Sequence, residues 1–413
     1  MSGAPAWNET MSSLETGSRV LAICGSGNAA HALAVVASQH HDGPIDWLIG
    51  SEEKAEVLRR GVASTGLRST GVITATAKRL QTISADPAEI IPNADMILIV
   101  VPAFGHAAVL RRIGPHVSDT ATIGCLPTRG GFEFEAAELL PGAGGRRRIF
   151  GLQTLPWSTR VVTLGEVVNI GAAKAEVVLA ALPAADTAGV AARLAQIVGT
   201  QVIPAETFLA LTLGNPGQYI HPGLMYGHFR SYAGDEYDED SIPMFYAQAS
   251  DEMGRVVEGL SDDAIRIARA IEAFSGNQLD LRRVIPVHEW LRLSYAHVTE
   301  DTTSIATCFR TGPIQARKAP MVEVRPGRFV SDFGYRYLTE DIPYGLAVTK
   351  AMGEIAGVET PTIDEVVTWA QSVMERVYLV GGKLEGPDAK GLPIPQNHGI
   401  STLKDLVEWY SAS

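Results

Sequence analysis

Two stretches of the chain carry the groups that a redox reaction on a small polar molecule needs. The first is Gly25-x-Gly27-x-x-Ala30, set between an apolar run and an alanine-rich one. That strand-turn-helix context makes it a dinucleotide-binding fingerprint. Gly25 permits the tight turn, Gly27 lets the backbone approach a pyrophosphate, and Ala30 allows close packing of helix on strand. Asn28 stands with them where unpaired N–H groups and the helix dipole meet the charge. An ordinary glycine turn is the plainer alternative.

The second stretch is Asn215-Pro-Gly-Gln-Tyr-Ile-His-Pro-Gly-Leu-Met-Tyr-Gly227, which holds a histidine among turn-forming residues. Hydride transfer to a carbonyl or imine needs a proton donor, and imidazole has the unperturbed pKa nearest neutrality, so His221 is the candidate acid/base. Such a histidine needs a carboxylate on its other nitrogen to fix the tautomer and support the charged ring. Asp341, in Arg336-Tyr-Leu-Thr-Glu-Asp341-Ile-Pro-Tyr-Gly345, is the candidate partner. The same segment supplies Arg336, whose planar fork suits a substrate carboxylate. Taken alone, His221 reads as a structural or surface residue, and Arg336 with Asp341 as a surface pair on a loop. His31, His106, His228, His288 and His297 lack comparable neighbours.

The acidic residue that holds a ribose hydroxyl pair falls about 20 positions after the glycine turn in such folds. Glu52, in Gly50-Ser51-Glu52-Glu53, occupies that place and favours NAD. It reads equally well as the first acidic turn of a helix. Arg59 and Arg60 come a turn or two too late to receive a 2'-phosphate, so NADH is expected over NADPH. Val101 and Pro102 end an apolar run at the carboxyl edge of a sheet, where ligands of open α/β domains gather.

These residues need a scaffold, and the composition supplies one. The chain has 413 residues, with 34 Lys and Arg against 46 Asp and Glu for a formal charge of -12, which argues against a nucleic-acid partner met by a basic face. Hydrophobic residues make up 46% and charged residues 19%, enough apolar material for large cores and too little charge for wholesale disorder. Cys24, Cys125 and Cys308 are too scattered for a metal pair and too few for a disulfide scaffold, so free thiols in a reducing, cytoplasmic setting are expected. No His/Cys/Asp cluster has ligand spacing, and no metal is expected. The apolar run Met96 to Phe104 falls well short of the roughly 20 residues that span a bilayer, so no membrane partner is expected either.

Residues 1–17 read as a loose polar lead-in. Residues 18–205 read as a dinucleotide-binding domain: a βαβ unit over Ser18 to Ile49, then continuous apolar runs at Ala94 to Val101 and Ala121 to Leu126, as parallel strands covered on both faces require. Arg148 to Leu152, Val161 to Gly171 and Ala175 to Leu182 fill out that domain. Over 206–413, Asp251 to Ser275, Val287 to Val298 and Ile363 to Leu379 show helical spacing, with Gly234 to Asp240 and Arg310 to Gly327 as surface loops. The expected fold is α/β: an N-terminal Rossmann-type doubly wound sheet followed by a mainly α-helical C-terminal domain.

GSGNAAHALA, GLQTLPWSTR, NPGQYIHPGLMYG and RYLTEDIPYGL follow one another in this order, and through them the chain resembles the opine dehydrogenases over most of its length. That family includes octopine, tauropine, strombine, alanopine and β-alanopine dehydrogenases, which join the amino group of an amino acid to pyruvate using NADH. The resemblance implies that His221 is the catalytic histidine, Asp341 its partner and Arg336 an arginine of the substrate cleft, in a protein that works as a monomer. Octopine dehydrogenase has a glutamate in its LETLPW-type motif for the guanidinium of L-arginine, whereas this chain has Gln153 before Thr154. A guanidinium without that carboxylate forfeits roughly 1.5 to 3 kcal/mol. A small non-basic amino acid is therefore expected, taurine ahead of β-alanine, alanine and glycine. Arg129 replaces a glutamine of the octopine enzyme: pointing inward it favours a zwitterion with a displaced anionic end, and pointing outward it is one more exposed arginine. Thr154 and Thr159, flanking Trp157, are candidate hydrogen-bond donors to substrate. Two other readings stay open, a two-domain NAD(P)-dependent dehydrogenase of hydroxy acids or sugar phosphates and a non-enzymatic dinucleotide sensor.

Overall fold

The computed structural model describes residues 19–142 and 145–411, so the lead-in expected over 1–17 lies outside the described residues. Strand β1 (Leu21–Cys24) is wholly buried and runs through the Gly25 turn into helix α1 (Asn28–His40) and strand β2 (Ile45–Leu48). Helix α2 (Glu52–Thr65) then leads to β3 (Arg68–Gly71), β4 (Leu80–Ser84), β5 (Met96–Ile99), helix α3 (His106–Ile113) and β6 (Thr122–Cys125). After β7 (Ile149–Leu152) come β8 (Trp157–Thr163), β9 (Val167–Ala173), β10 (Glu176–Leu182), helix α4 (Thr187–Val198) and β11 (Gln201–Pro204).

Eight of these strands form one sheet in the order β11-β10-β7-β6-β5-β1-β2-β4. All its pairings are parallel except β7 with β10. Strand order reverses at β1, which lies between β2 and β5, and the crevice beyond its carboxyl end is where a doubly wound sheet binds ligands. Gly25 turns the chain there with φ +131°, and a Cβ at this position would lie 2.3 Å from the Val100 carbonyl oxygen. Only glycine fits. The Trp47 indole N–H on β2 donates to the Gly25 carbonyl at 2.6 Å and fixes the turn from below.

The Val161 to Gly171 stretch does not join this sheet. β8 and β9 make an antiparallel hairpin, and β9 pairs in parallel with β3 in a separate three-stranded sheet. The burial pattern gives the reason: residues of β9 alternate between covered and partly open, as a sheet with one wet face requires, whereas β1, β5 and β6 are buried throughout. The hairpin lies against α1, where the Asn28 side chain accepts from the Val161 N–H at 2.8 Å and His31 Nε2 accepts from the Gly165 N–H at 3.1 Å.

Past Pro204 the chain is mainly helical, with α5 (Gly217–Phe229), α6 (Asp251–Phe274), α7 (Val287–Tyr295), the short α8 (Arg336–Thr339), α9 (Ala347–Ala356) and α10 (Pro361–Val373). One correction falls in Arg310 to Gly327. It is not all loop, because Met321–Arg325 pairs antiparallel with Arg328–Ser331. Pro326 and Gly327 make a turn, with Gly327 at φ +71°, between β-branched runs that form strands. A single buried cluster runs from Ile97 and Ile123 of the sheet to Leu224, Leu260 and Met352 of the helices, so one face of the sheet packs directly on the helical half. Among the described residues no helix is long and apolar enough to cross a membrane.

Burial holds two imidazoles neutral in this scaffold. It pushes His31 and His106 down to about 4; the backbone hydrogen bond at Gly27 for His31, and the Glu340 charge and then the Val101 backbone for His106, only partly offset it. The unfolded chain protonates each near 6.5, so between about pH 6.5 and 4 it binds more protons than the folded chain. Stability therefore falls as pH drops through that window. Thermal melts should show His31→Gln and His106→Gln each flattening this acid-side decline, by more than about 1 kcal/mol per imidazole.

Candidate active site

His221 lies in the second turn of α5 rather than in a loop, which corrects the turn suggested by its proline and glycine neighbours. Pro216 takes the N-cap position, where no helical N–H is needed, and the buried Leu224, Met225 and Phe229 offset the hydrogen bond lost at Pro222. Asn215, just before, ties three segments together. Its amide donates to the carbonyls of Thr128 and Gln153 at 3.1 and 2.7 Å, and its Oδ1 accepts from the Gly217 N–H at 3.0 Å.

The His221 ring presents Nδ1 to Asp341 Oδ2 at 2.8 Å and stacks on Tyr337 with centroids 4.0 Å apart and planes 14° from parallel. Asp341 immediately precedes a π-helical turn over Ile342–Leu346 that follows α8, a local geometry frequent at functional sites. It is 1% exposed. Its second oxygen meets Arg129 Nη1 at 2.9 Å, and the same nitrogen donates to Asn215 Oδ1 at 2.9 Å. Burial, more than any other cause, holds His221 below its ordinary pKa. Asp341 pulls the other way, while Arg129 and Arg336 add to the lowering. A neutral imidazole with Nδ1–H on Asp341 leaves Nε2 as a base.

A cavity of about 370 Å³ separates this dyad from the glycine turn. Gly27, Asn28, Val101 and Pro102 line it together with His221, Arg336, Arg129, Thr154 and Thr159. Gly25 and Ala30 shape the turn from beneath, and Asp341 stands behind His221. Gln153 is buried outside the cavity wall, its carbonyl held by Asn215. Glu52 begins α2 behind the Ser51 cap, and its carboxylate is engaged by Arg59, also outside the wall. The helix-start alternative describes that position. Arg129 is not the exposed arginine of the outward alternative: it borders the cavity, with its charge already engaged. It is 4% exposed, and its guanidinium serves Asp341, Asn215 and, at 3.6 Å, Glu340. Two adjacent buried carboxylates require a counter-charge, and Arg129 supplies it.

Sequence reasoning missed Glu340, 2% exposed beside Asp341, and Tyr337, on which the imidazole rests. The acidic pair Glu340-Asp341 was a signal, since adjacent carboxylates on one tight turn need a shared cation. It also missed Arg160 on β8, which lines the cavity next to the residue that binds Asn28. The turn suits a dinucleotide: a Cβ at Gly27 would meet nothing within 4 Å, so the first turn of α1 is open to the cavity.

Residues 204–374 match the family described as NAD/NADP octopine/nopaline dehydrogenase, alpha-helical domain. An opine dehydrogenase of Haliotis discus hannai is 32% identical over 401 residues, covering 93% of this chain and 97% of that protein. A tauropine dehydrogenase of Arabella iricolor is 31% identical over 402 residues, covering 94% and 100%. Among solved structures, octopine dehydrogenase with NADH and pyruvate superposes with a TM-score of 0.80 at 27% identity, covering 94% of this chain and 98% of that one. With a relative above 30% identity along nearly its whole length, and with the dyad facing the glycine turn across one cavity, the chain belongs to the opine dehydrogenase family.

Proposed function

We propose that this protein is an NADH-dependent oxidoreductase acting on CH–NH groups, which condenses pyruvate with the amino group of a small non-basic amino acid, taurine ahead of β-alanine, alanine and glycine. The observation that carries this reading is the His221–Asp341 pair set opposite Gly27 in a single cavity. On this reading residues 18–205 carry the cofactor and 206–413 most of the substrate site. The turn from Gly25 to Ala30 would hold the pyrophosphate, with Asn28 at its helix start and Val101 and Pro102 beside the nicotinamide. Bound NADH supplies the hydride. NADH is preferred to NADPH because Arg59 is engaged by Glu52 and Glu56.

Arg336 binds the pyruvate carboxylate, and Thr154 and Thr159 border the amine. Neutral His221 takes a proton from the substrate ammonium at Nε2, which frees the amine to add to the pyruvate carbonyl carbon. The imidazolium, supported by Asp341, returns that proton to the hydroxyl, which leaves as water and gives the imine that is reduced. Gln153, behind the cavity wall, carries no charge and so offers a guanidinium no carboxylate, and among the described residues that line the cavity Glu340 alone is acidic.

NADH oxidation with pyruvate and a panel of taurine, β-alanine, alanine, glycine and arginine tests the proposal. Turnover should require both partners and be slowest with arginine. Preference for arginine would overturn the Gln153 argument. Oxidation with no amine present would support a hydroxy-acid dehydrogenase instead.

A further inference from the structure

Among the described residues Glu340 is the one acidic side chain on the cavity wall, and it touches both halves of the protein. Its Oε1 accepts from the Ala103 N–H at 3.0 Å, in the loop that follows Val101 and Pro102 on the cofactor side. Its Oε2 pairs with Arg336 Nε at 3.2 Å on the substrate side. Oε1 also lies 3.6 Å from Arg129 Nε, the guanidinium that holds Asp341. A buried carboxylate is costly unless its neighbours compensate it, and here they are one N–H and two guanidiniums from three separate segments.

From this we infer that Glu340 is a positioning residue that fixes the cofactor-side loop and the substrate arginine with one carboxylate. The inference rests on the roles given above to Arg336 and to the Val101–Pro102 loop. Among the described residues Arg336 has no other ion pair, and its side chain is 42% exposed. Drawn to Glu340 at Nε by charge, without a hydrogen bond at Oε2, the guanidinium keeps its two terminal nitrogens for a bidentate grip on a carboxylate, which depends on the orientation of the fork. Released, it is free to turn into solvent. A negative charge beside Arg336 also opposes an incoming carboxylate, but Arg129 and the Ala103 N–H already offset that charge, so orientation is the larger effect.

The two oxygens can be separated by substitution. Glu340→Gln keeps a carbonyl for the Ala103 N–H and removes the charge that anchors Arg336. Its KM for pyruvate should rise about ten- to hundredfold, the range for losing one charge-assisted contact, while its Kd for NADH, read by quenching of protein fluorescence, stays within about twofold. Glu340→Ala removes both contacts and should weaken NADH binding as well, by about tenfold. A pyruvate KM that is unchanged or lower in Glu340→Gln overturns the Arg336 half. Equal NADH affinity in Glu340→Ala and the parent overturns the Ala103 half. Lowered thermal midpoints with unaltered KM and Kd would make Glu340 merely structural. If the parent protein turns over no keto acid with any amine, the functional reading fails and the Arg336 half with it. The NADH titrations then still decide the Ala103 half.

Discussion

Replacing His221 with alanine should lower kcat by about 10²- to 10⁴-fold, the usual contribution of a positioned acid/base group, while NADH affinity is retained. The imidazole has no contact with the glycine turn, so the loss should fall on proton transfer and not on cofactor binding. Steady-state kinetics beside an NADH titration separates the two. Because burial lowers the pKa of His221, its neutral form persists below 6.5, and turnover by the parent protein should fade only on the acid side of that value. A variant that kept full turnover would remove the imidazole from the chemistry and leave the cofactor-sensing alternative standing.

Arg129→Gln carries the second large effect. Its guanidinium is buried between Asp341 and Glu340, and removing one partner of a buried ionic cluster typically costs about 3–5 kcal/mol because the remaining charges lose their compensation. The thermal midpoint should fall by roughly 5 °C. Activity should fall too, since Asp341 loses the group that fixes its second oxygen. A variant of unchanged stability with an altered amino-acid preference would return Arg129 to the substrate-binding role suggested by its replacement of a glutamine. Differential scanning fluorimetry and the amine panel distinguish these results.

Much of the architecture is legible in the amino-acid order. Continuous apolar runs at β1, β5 and β6 can be satisfied only by a sheet covered on both faces, and Gly25 with Gly27 marks the turn at its carboxyl edge. The dyad is legible through the resemblance of NPGQYIHPGLMYG and RYLTEDIPYGL, because acid–arginine neighbours recur, as at Asp280–Arg282 and Glu375–Arg376, and alone do not single out Asp341. The β8–β9 hairpin and the strand pair after Pro320 were less legible, because short β-branched runs beside glycine and proline suit a strand, a bulge or a loop equally well until a partner edge is present.

Local order alone thus determined the nucleotide turn, the covered sheet, the helical second half and the types of residue that meet at the reaction centre. Only tertiary packing decided which charges are already paired. Arg129, Glu340, Asp341 and Asn215 lie up to 212 positions apart in sequence, yet share one buried network. Electrostatic pairing falls off over a few ångströms and takes no account of chain separation, so a guanidinium that looks available for substrate becomes a counter-ion once two carboxylates are buried beside it.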